Sequence, residues 1–236
     1  MTDWQNTVDN FNTGYLIQDA LLKKKNERVT GYKVSLTSDT TQQMFNTNEP
    51  LYGQQVASRV LTHPANVSLD NLNEPLIEVE LVFTAKKTLT TDMVLTELLQ
   101  NSFVSGGIEV PDARFKDWFP TLNKYLVVSD AAVGGYIVSG TQVDGNTLTV
   151  ADLKDIHVDT YHNGALIASG DATEVLGNPL HALQWLVKKL AQTGKQINPG
   201  DTISAGTFFV PPKLVKGEYE AKFSGPLTQT TILHVE

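Results

Sequence analysis

Four ionisable residues on apolar, strand-like stretches are the first candidates for chemistry: Lys33, Glu78, Glu80 and Glu109. Glu78 and Glu80 sit in Pro75-Leu-Ile-Glu-Val-Glu-Leu-Val-Phe83, where they alone interrupt apolar β-formers. Such a run, bounded by Pro75 and by Lys86-Lys87, reads as a strand. Residues two apart in a strand share a face and stand roughly 6.5–7 Å apart. Both carboxylates therefore point one way, with Ile77, Val79 and Leu81 opposite. A divalent cation relieves the repulsion between them, and oxygen ligands suit Mg²⁺ or Mn²⁺. A half-exposed strand with a solvated acidic face is the alternative.

Two further stretches can supply companions. Val29-Thr-Gly-Tyr-Lys-Val-Ser-Leu36 reads as a strand in which Lys33 shares a face with Gly31 and Ser35. Phe103-Val-Ser-Gly-Gly-Ile-Glu-Val110 reads as another, placing Glu109 between Ile108 and Val110. Its diglycine, Gly106-Gly107, removes bulk where a backbone or ligand approaches. A lysine in mid-strand and an acid between apolar residues both also suit an exposed face. The five histidines lack close metal-ligand spacing and read as surface or satisfied residues. No Gly-x-Gly-x-x-Gly, phosphate loop or Gly-x-Ser-x-Gly elbow is present, so nucleotide-dependent and serine-hydrolase chemistry have no support.

The elements that must hold these groups follow from pattern. Residues 4–26 read as one helix ended by Lys23-Lys24-Lys25. Asp39–Phe45 and Thr91–Leu99 read as short helices. Pro179–Gln192 is the one strongly periodic helix, capped by Asn178 and stopped by Gly194. Leu51-Tyr-Gly53, Val56–Leu61, Tyr125–Ser129, Tyr136–Ser139, Thr147–Val150 and His157–Tyr161 read as strands, as do segments within 200–210 and 219–235. Asn163-Gly164 marks a hairpin. The 236 residues can bury a full core as one domain spanning 1–236, with an N-terminal helical segment over 1–30. Without steady βαβ alternation, the class is β-rich α+β.

Composition narrows the partners. With 18 basic and 26 acidic residues the net charge is −8, which disfavours nucleic acid. Zero cysteines exclude disulfides and thiolate sites. No apolar run reaches membrane-spanning length and the N-terminus lacks a signal-peptide layout, so a cytoplasmic protein is expected.

Read together, the pieces resemble the 2-oxopent-4-enoate hydratases and 4-oxalocrotonate decarboxylases of the fumarylacetoacetate hydrolase superfamily. The resemblance rests on Gly14-Tyr-Leu-Ile-Gln18, Gly31-Tyr-Lys-Val-Ser-Leu-Thr-Ser38 with Gln42-Gln43, Ile77-Glu-Val-Glu-Leu81 and Ile108-Glu-Val110. It continues through Asp112, Arg114, Asp117-Trp118, Leu176-Gly-Asn-Pro-Leu180, Trp185-Leu186, Gly200-Asp-Thr-Ile203 and Gly206.

The resemblance implies a β-sandwich or rolled mixed sheet with flanking helices, assembled as a homo-oligomer. It implies Mg²⁺ or Mn²⁺ held by Glu78, Glu80 and Glu109, with Lys33 as catalytic proton carrier. Leu51, Asp130 and Gly206 take substrate-binding positions. The implied activity is that of a metal-dependent lyase working on a small 2-oxo acid through an enolate, within aromatic catabolism. A carbon–carbon hydrolase, tautomerase or decarboxylase with the same metal site, or a non-catalytic 2-oxo acid binder, is the alternative. Three positions depart from the family pattern: Leu51 replaces an aspartate, Ala131 an asparagine and Ala205 a threonine. Each removes a polar group from the expected pocket.

Overall fold

The computed structural model describes residues 2–236. The N-terminal segment forms two helices rather than one, α1 (Thr2–Thr7) and α2 (Phe11–Lys25). Asn10 makes the break. Its backbone is extended (φ −149°, ψ 161°) and its side chain accepts from the Thr13 N–H at 2.9 Å, capping α2. The three terminal lysines of α2 complement its dipole, and Asn26 closes it in the left-handed region at φ 53°.

The larger sheet has the strand order β2 (Leu51–Val56), β1 (Val29–Ser35), β11 (Thr202–Ser204), β5 (Glu78–Ala85), β6 (Ser102–Val110), β7 (Tyr136–Ser139), β3 (Val60–Thr62), with β8 (Val143–Asp144) also on β6. The pairs β1–β11 and β3–β7 are parallel and the others antiparallel. The stretch Val56–Leu61 is not one strand, because a 3₁₀ turn at Ala57–Arg59 divides it. That turn joins β2 at one end of the strand order to β3 at the other. Three residues can connect the two ends only if the sheet is rolled.

The smaller sheet runs β10 (Ala165–Asp171), β9 (His157–His162), β12 (Gly217–Ser224), β13 (Gln229–Val235), β4 (Ala65–Val67). It packs across β6, where the Phe223 ring occupies the space a Cβ on Gly106 would need and Thr231 donates to the Gly106 carbonyl at 2.9 Å. Ile77, Val79, Leu81 and Phe83, on one face, join this main core with Leu183, Leu186 and Leu190 of α6 (Pro179–Ala191). The predicted alternation around the acidic strand therefore holds, and so does the periodic helix.

A second apolar cluster gathers Phe45, Leu51, Trp118, Leu122 and Val133 with Leu126, Val127 and Val128 of α5 (Lys124–Ser129). The sequence expectation here was a strand over Tyr125–Ser129. The Asn123 side chain instead accepts from the Tyr125 N–H at 2.8 Å and starts a helix, and burial on several sides outweighs the β-propensity of Val127-Val128. Thr147–Val150 likewise forms no strand: Asp144 accepts from the Asn146 N–H at 2.8 Å and sets a 3₁₀ turn. The remaining helices are short, α3 at Asp39–Met44 and α4 at Leu95–Gln100. The latter starts later than expected because Glu97 caps the Val94 N–H at 3.0 Å. Within 200–210 only β11 pairs, and the chain turns away at Gly206 (φ 116°).

Candidate metal centre

Register brings the four predicted ionisable residues to one face. Glu78 lies opposite Glu109, and Glu80 opposite Gly107. Lys33 lies opposite Gly53 on one side and Ser204 on the other, and Ser204 lies opposite Val82. Partners in a ladder share a face, so Lys33, Ser204, Glu78, Glu80 and Glu109 all point to the concave inside of the roll. Carboxylate oxygens of Glu78, Glu80 and Glu109 lie within 4.8 Å of one another. Lys33 Nζ closes on Glu109 Oε1 as an ion pair with both side chains 1% exposed. The exposed-face readings of Lys33 and Glu109 are thereby overturned.

The diglycine of β6 serves packing. Gly106 admits the Phe223 ring, and a Cβ on Gly107 would strike Val82.

The electrostatics are those of a site short of positive charge. Burial works against the Lys33 ammonium, yet Glu109, Glu78 and Glu80 more than offset it and hold its pKa above the ordinary lysine value. Burial pushes Glu78 up to about 7, opposed by Lys33 and aided by Glu109. Burial, then Glu109 and Glu78, raise Glu80 well above the usual carboxylate range. Ser204 Oγ and the Gly206 N–H, both donating to Glu80 Oε2 at 2.6 Å, oppose that rise. Burial raises Glu109 against the pull of Lys33, and its Oε2 is buried without a well-placed hydrogen-bond donor. Three carboxylates, two buried and that of Glu78 half-buried, facing one lysine leave the cluster in need of one more cation. An oxygen-only donor set fits Mg²⁺ or Mn²⁺.

A narrow cleft of about 40 Å³ opens beside this cluster. Lys33, Ser35, Thr37, Glu78, Glu80 and Thr207 provide polar lining, while Leu36, Phe45, Trp118, Phe119, Val127, Val133 and Pro211 provide apolar lining. The Trp118 indole is anchored through Nε1–H to the Glu74 carbonyl at 2.8 Å.

Of the three predicted substrate positions, one reaches the metal cluster. Gly206 donates its N–H to Glu80, and its positive φ and the proximity of Thr37 leave no space for a side chain. Leu51 lies opposite Ser35, 1% exposed, and backs the apolar wall as a member of the second cluster. Asp130 is held by Arg114, which donates Nε–H to Oδ1 at 2.5 Å and its backbone N–H to Oδ2 at 2.9 Å. Both its oxygens are thereby engaged. Ala131 follows at φ 55° with its carbonyl against Gly53, and Ala205 is buried in the main core. The residues that sequence reading missed are Ser204, Thr37, Thr207 and the apolar wall. Thr202-Ile-Ser204 carried a readable signal, since its alternation puts Ser204 on the face opposite Ile203.

No protein-family model matches the chain. It is 28% identical over 213 residues to a 2-keto-4-pentenoate hydratase of Burkholderia vietnamiensis, covering 89% of this chain and 79% of that protein. It is 30% identical over 195 residues to a 2-oxo-hept-4-ene-1,7-dioate hydratase of Escherichia coli, covering 80% of this chain and 71% of that protein. The chain belongs to this hydratase family. Among solved structures, the 4-oxalocrotonate decarboxylase of Pseudomonas putida G7, complexed with magnesium and adipate, superposes with a TM-score of 0.87. It is 22% identical and aligns over 96% of this chain and 86% of its own. The expected rolled mixed sheet with flanking helices is thus the fold of this hydratase-family enzyme. Among its described residues no helix is long and apolar enough to cross a membrane.

Proposed function

We propose that this hydratase-family chain is a divalent-metal-dependent lyase acting on a small 2-oxo acid. Glu78, Glu80 and Glu109 would hold Mg²⁺ or Mn²⁺, as the resemblance implied and as the metal complexes of a fold neighbour support. The observation that carries the reading is the convergence of three carboxylates, those of Glu80 and Glu109 buried and that of Glu78 half-buried, with Lys33 beside one largely apolar cleft. The bound cation would supply Lewis-acid polarisation of the substrate's keto oxygen.

The chain's own groups supply the rest. Ser204 and Gly206 fix the Glu80 carboxylate, so its orientation does not have to be reorganised when a ligand arrives. Lys33, held charged by the glutamates, stands where it can donate a proton to a developing enolate and take it back. Val127, Val133 and Trp118 keep bulk water from the reacting carbons. Gly206 would serve the substrate site through Glu80, which its N–H holds, while Thr37 takes the space beside it.

Leu51, standing where the resemblance expects an acid, favours decarboxylation as a second reading. That reaction uses the same enolate without an added water. Asp130, its carboxylate held by Arg114, stands outside the cleft lining and is given no direct substrate contact. The proposal extends to a homo-oligomer, supported by the exposed Leu166 and Ile167 on β10, and to a cytoplasmic location, as the sequence composition implied.

The test is ultraviolet absorbance on a panel of 2-oxo acids and 2-hydroxydienoates, with Mg²⁺ and with chelator. Metal-dependent turnover of a 2-oxo acid or its enol is expected. Equal turnover in chelator would overturn the reading.

A further inference from the structure

The apolar wall of the cleft specifies more than a 2-oxo acid. Phe45, Trp118, Phe119, Val127, Val133 and Pro211 line it, and all but Phe119 and Pro211 are buried members of the second apolar cluster. Phe45 and Phe119 lie with ring centroids 6.3 Å apart, and Trp118 and Phe119 5.5 Å apart, so the wall is a continuous aromatic surface. Among the described residues that line the cleft, Lys33 is the one cation, and its ammonium is engaged by Glu109. Lys124, the first residue of α5, turns its ammonium to the Asn46 carbonyl and lies over the Phe11 and Tyr125 rings, at 5.9 and 5.4 Å. It is not part of the lining.

A substrate whose 2-oxo acid end meets the glutamates therefore meets mostly carbon over the rest of the lining. A methylene there gains from leaving water. A second carboxylate would lose its hydration with no free cation, and only the neutral hydroxyls of Ser35, Thr37, Thr41 and Thr207 in the lining, to replace it. We infer that this enzyme takes 2-oxo monocarboxylates with an uncharged apolar tail, and that the aromatic wall rejects 2-oxo acids bearing a terminal carboxylate. This rests on the proposed metal site and narrows its substrate class. It separates the chain from its E. coli relative, whose name specifies a dioate.

The experiment is calorimetry on the Mn²⁺-loaded protein with unreactive 2-oxo acids. Along pyruvate, 2-oxobutanoate, 2-oxopentanoate and 2-oxohexanoate, affinity should rise about fourfold per methylene. 2-Oxoglutarate and 2-oxoadipate should bind at least about tenfold more weakly than the monoacids of equal carbon number. Phe119→Arg, at a half-buried position, should shrink that gap by about tenfold or more while Mn²⁺ affinity stays unchanged. If Phe119→Arg fails to fold, the wild-type series alone decides. A flat monoacid series, or diacids binding as tightly as monoacids, would overturn the inference and leave the metal reading standing. Absence of Mn²⁺-dependent binding by every acid would overturn both.

Discussion

Lys33 and Glu109 meet although three strand-to-strand steps separate β1 from β6 in the larger sheet. In a flat sheet those steps alone span roughly 14 Å. The side chains touch because the sheet is rolled and both face its concave side. The ion pair therefore reports on the curvature of the sheet as well as on the chemistry of the site.

Replacing Lys33 by methionine tests both aspects. It strands the buried Glu109 carboxylate, and breaking such a pair costs up to about 3–5 kcal/mol. The metal-free variant should melt lower than wild type and regain most of the loss in Mn²⁺. Turnover should fall by about 10²–10⁴-fold even when metal is saturating. Calorimetric melting and a turnover assay on the same preparation give the answer. Wild-type behaviour in both would remove Lys33 from the site.

Glu80 offers a graded test. Ser204→Ala removes one of two donors to Oε2 and should weaken Mn²⁺ binding by about 10–100-fold. Glu80→Gln removes ligand charge as well and should weaken it further. Titration calorimetry ranks the two. A Ser204→Ala variant weaker than Glu80→Gln would reverse the assigned hierarchy.

The pH dependence has an unusual sign. Glu78, pushed up to about 7 by burial with Glu109 adding to it, binds its proton more tightly folded than unfolded. For such a carboxylate the stabilising contribution is full below the unfolded value, about 4.3, and is lost as pH rises through about 7. Glu80, raised for the same leading reason, adds in the same direction. The metal-free protein should therefore melt progressively lower between about pH 5 and pH 8. The stabilisation by Mn²⁺ should grow over the same window, since binding requires the ionised carboxylates. Glu78→Gln should flatten the metal-free slope. A metal-free melting temperature that rises across this range, with the variant following it, would refute the assignment.

Leu51 tests the choice of reaction. It backs the cleft wall beside Ser35, and an aspartate there would stand near the substrate end of the pocket. Wild type should hydrate 2-hydroxypenta-2,4-dienoate slowly. Leu51→Asp should raise that rate, by up to about 10²-fold, while lowering the melting temperature because the new carboxylate is buried. Rates with Mg²⁺ on both proteins decide it. Fast wild-type hydration that Leu51→Asp reduces would place the water-activating group elsewhere.

What the chain disclosed in advance was local. The two-residue period of Ile77 to Phe83 was enough to put Glu78 and Glu80 together, because strand geometry is set by nearest neighbours. The capped, Pro-initiated helix from Pro179 was legible for the same reason. Val127-Val128 misled, since its β-propensity was overruled by packing among residues distant in sequence. The Asn10 break in the N-terminal helix hung on one side-chain hydrogen bond. Ser204 and the aromatic wall were hidden because their roles depend on register and on the roll, which no single segment encodes. Leu51 and Asp130 were placed by resemblance alone, and the fold engages one with apolar neighbours and the other with Arg114.

The Ala57–Arg59 turn has a further effect. By tying the two outermost strands of the larger sheet together it takes that sheet's margins out of easy reach of another molecule, and β2 is buried along its whole length. The margins left for backbone pairing with a neighbour belong to the smaller sheet. One of them, β4, is three residues long, and the other, β10, is interrupted by a register shift between Leu166 and Ala168. Short and irregular edges are poor templates for a foreign strand. The roll that gathers the acids thus also protects the chain against uncontrolled sheet growth.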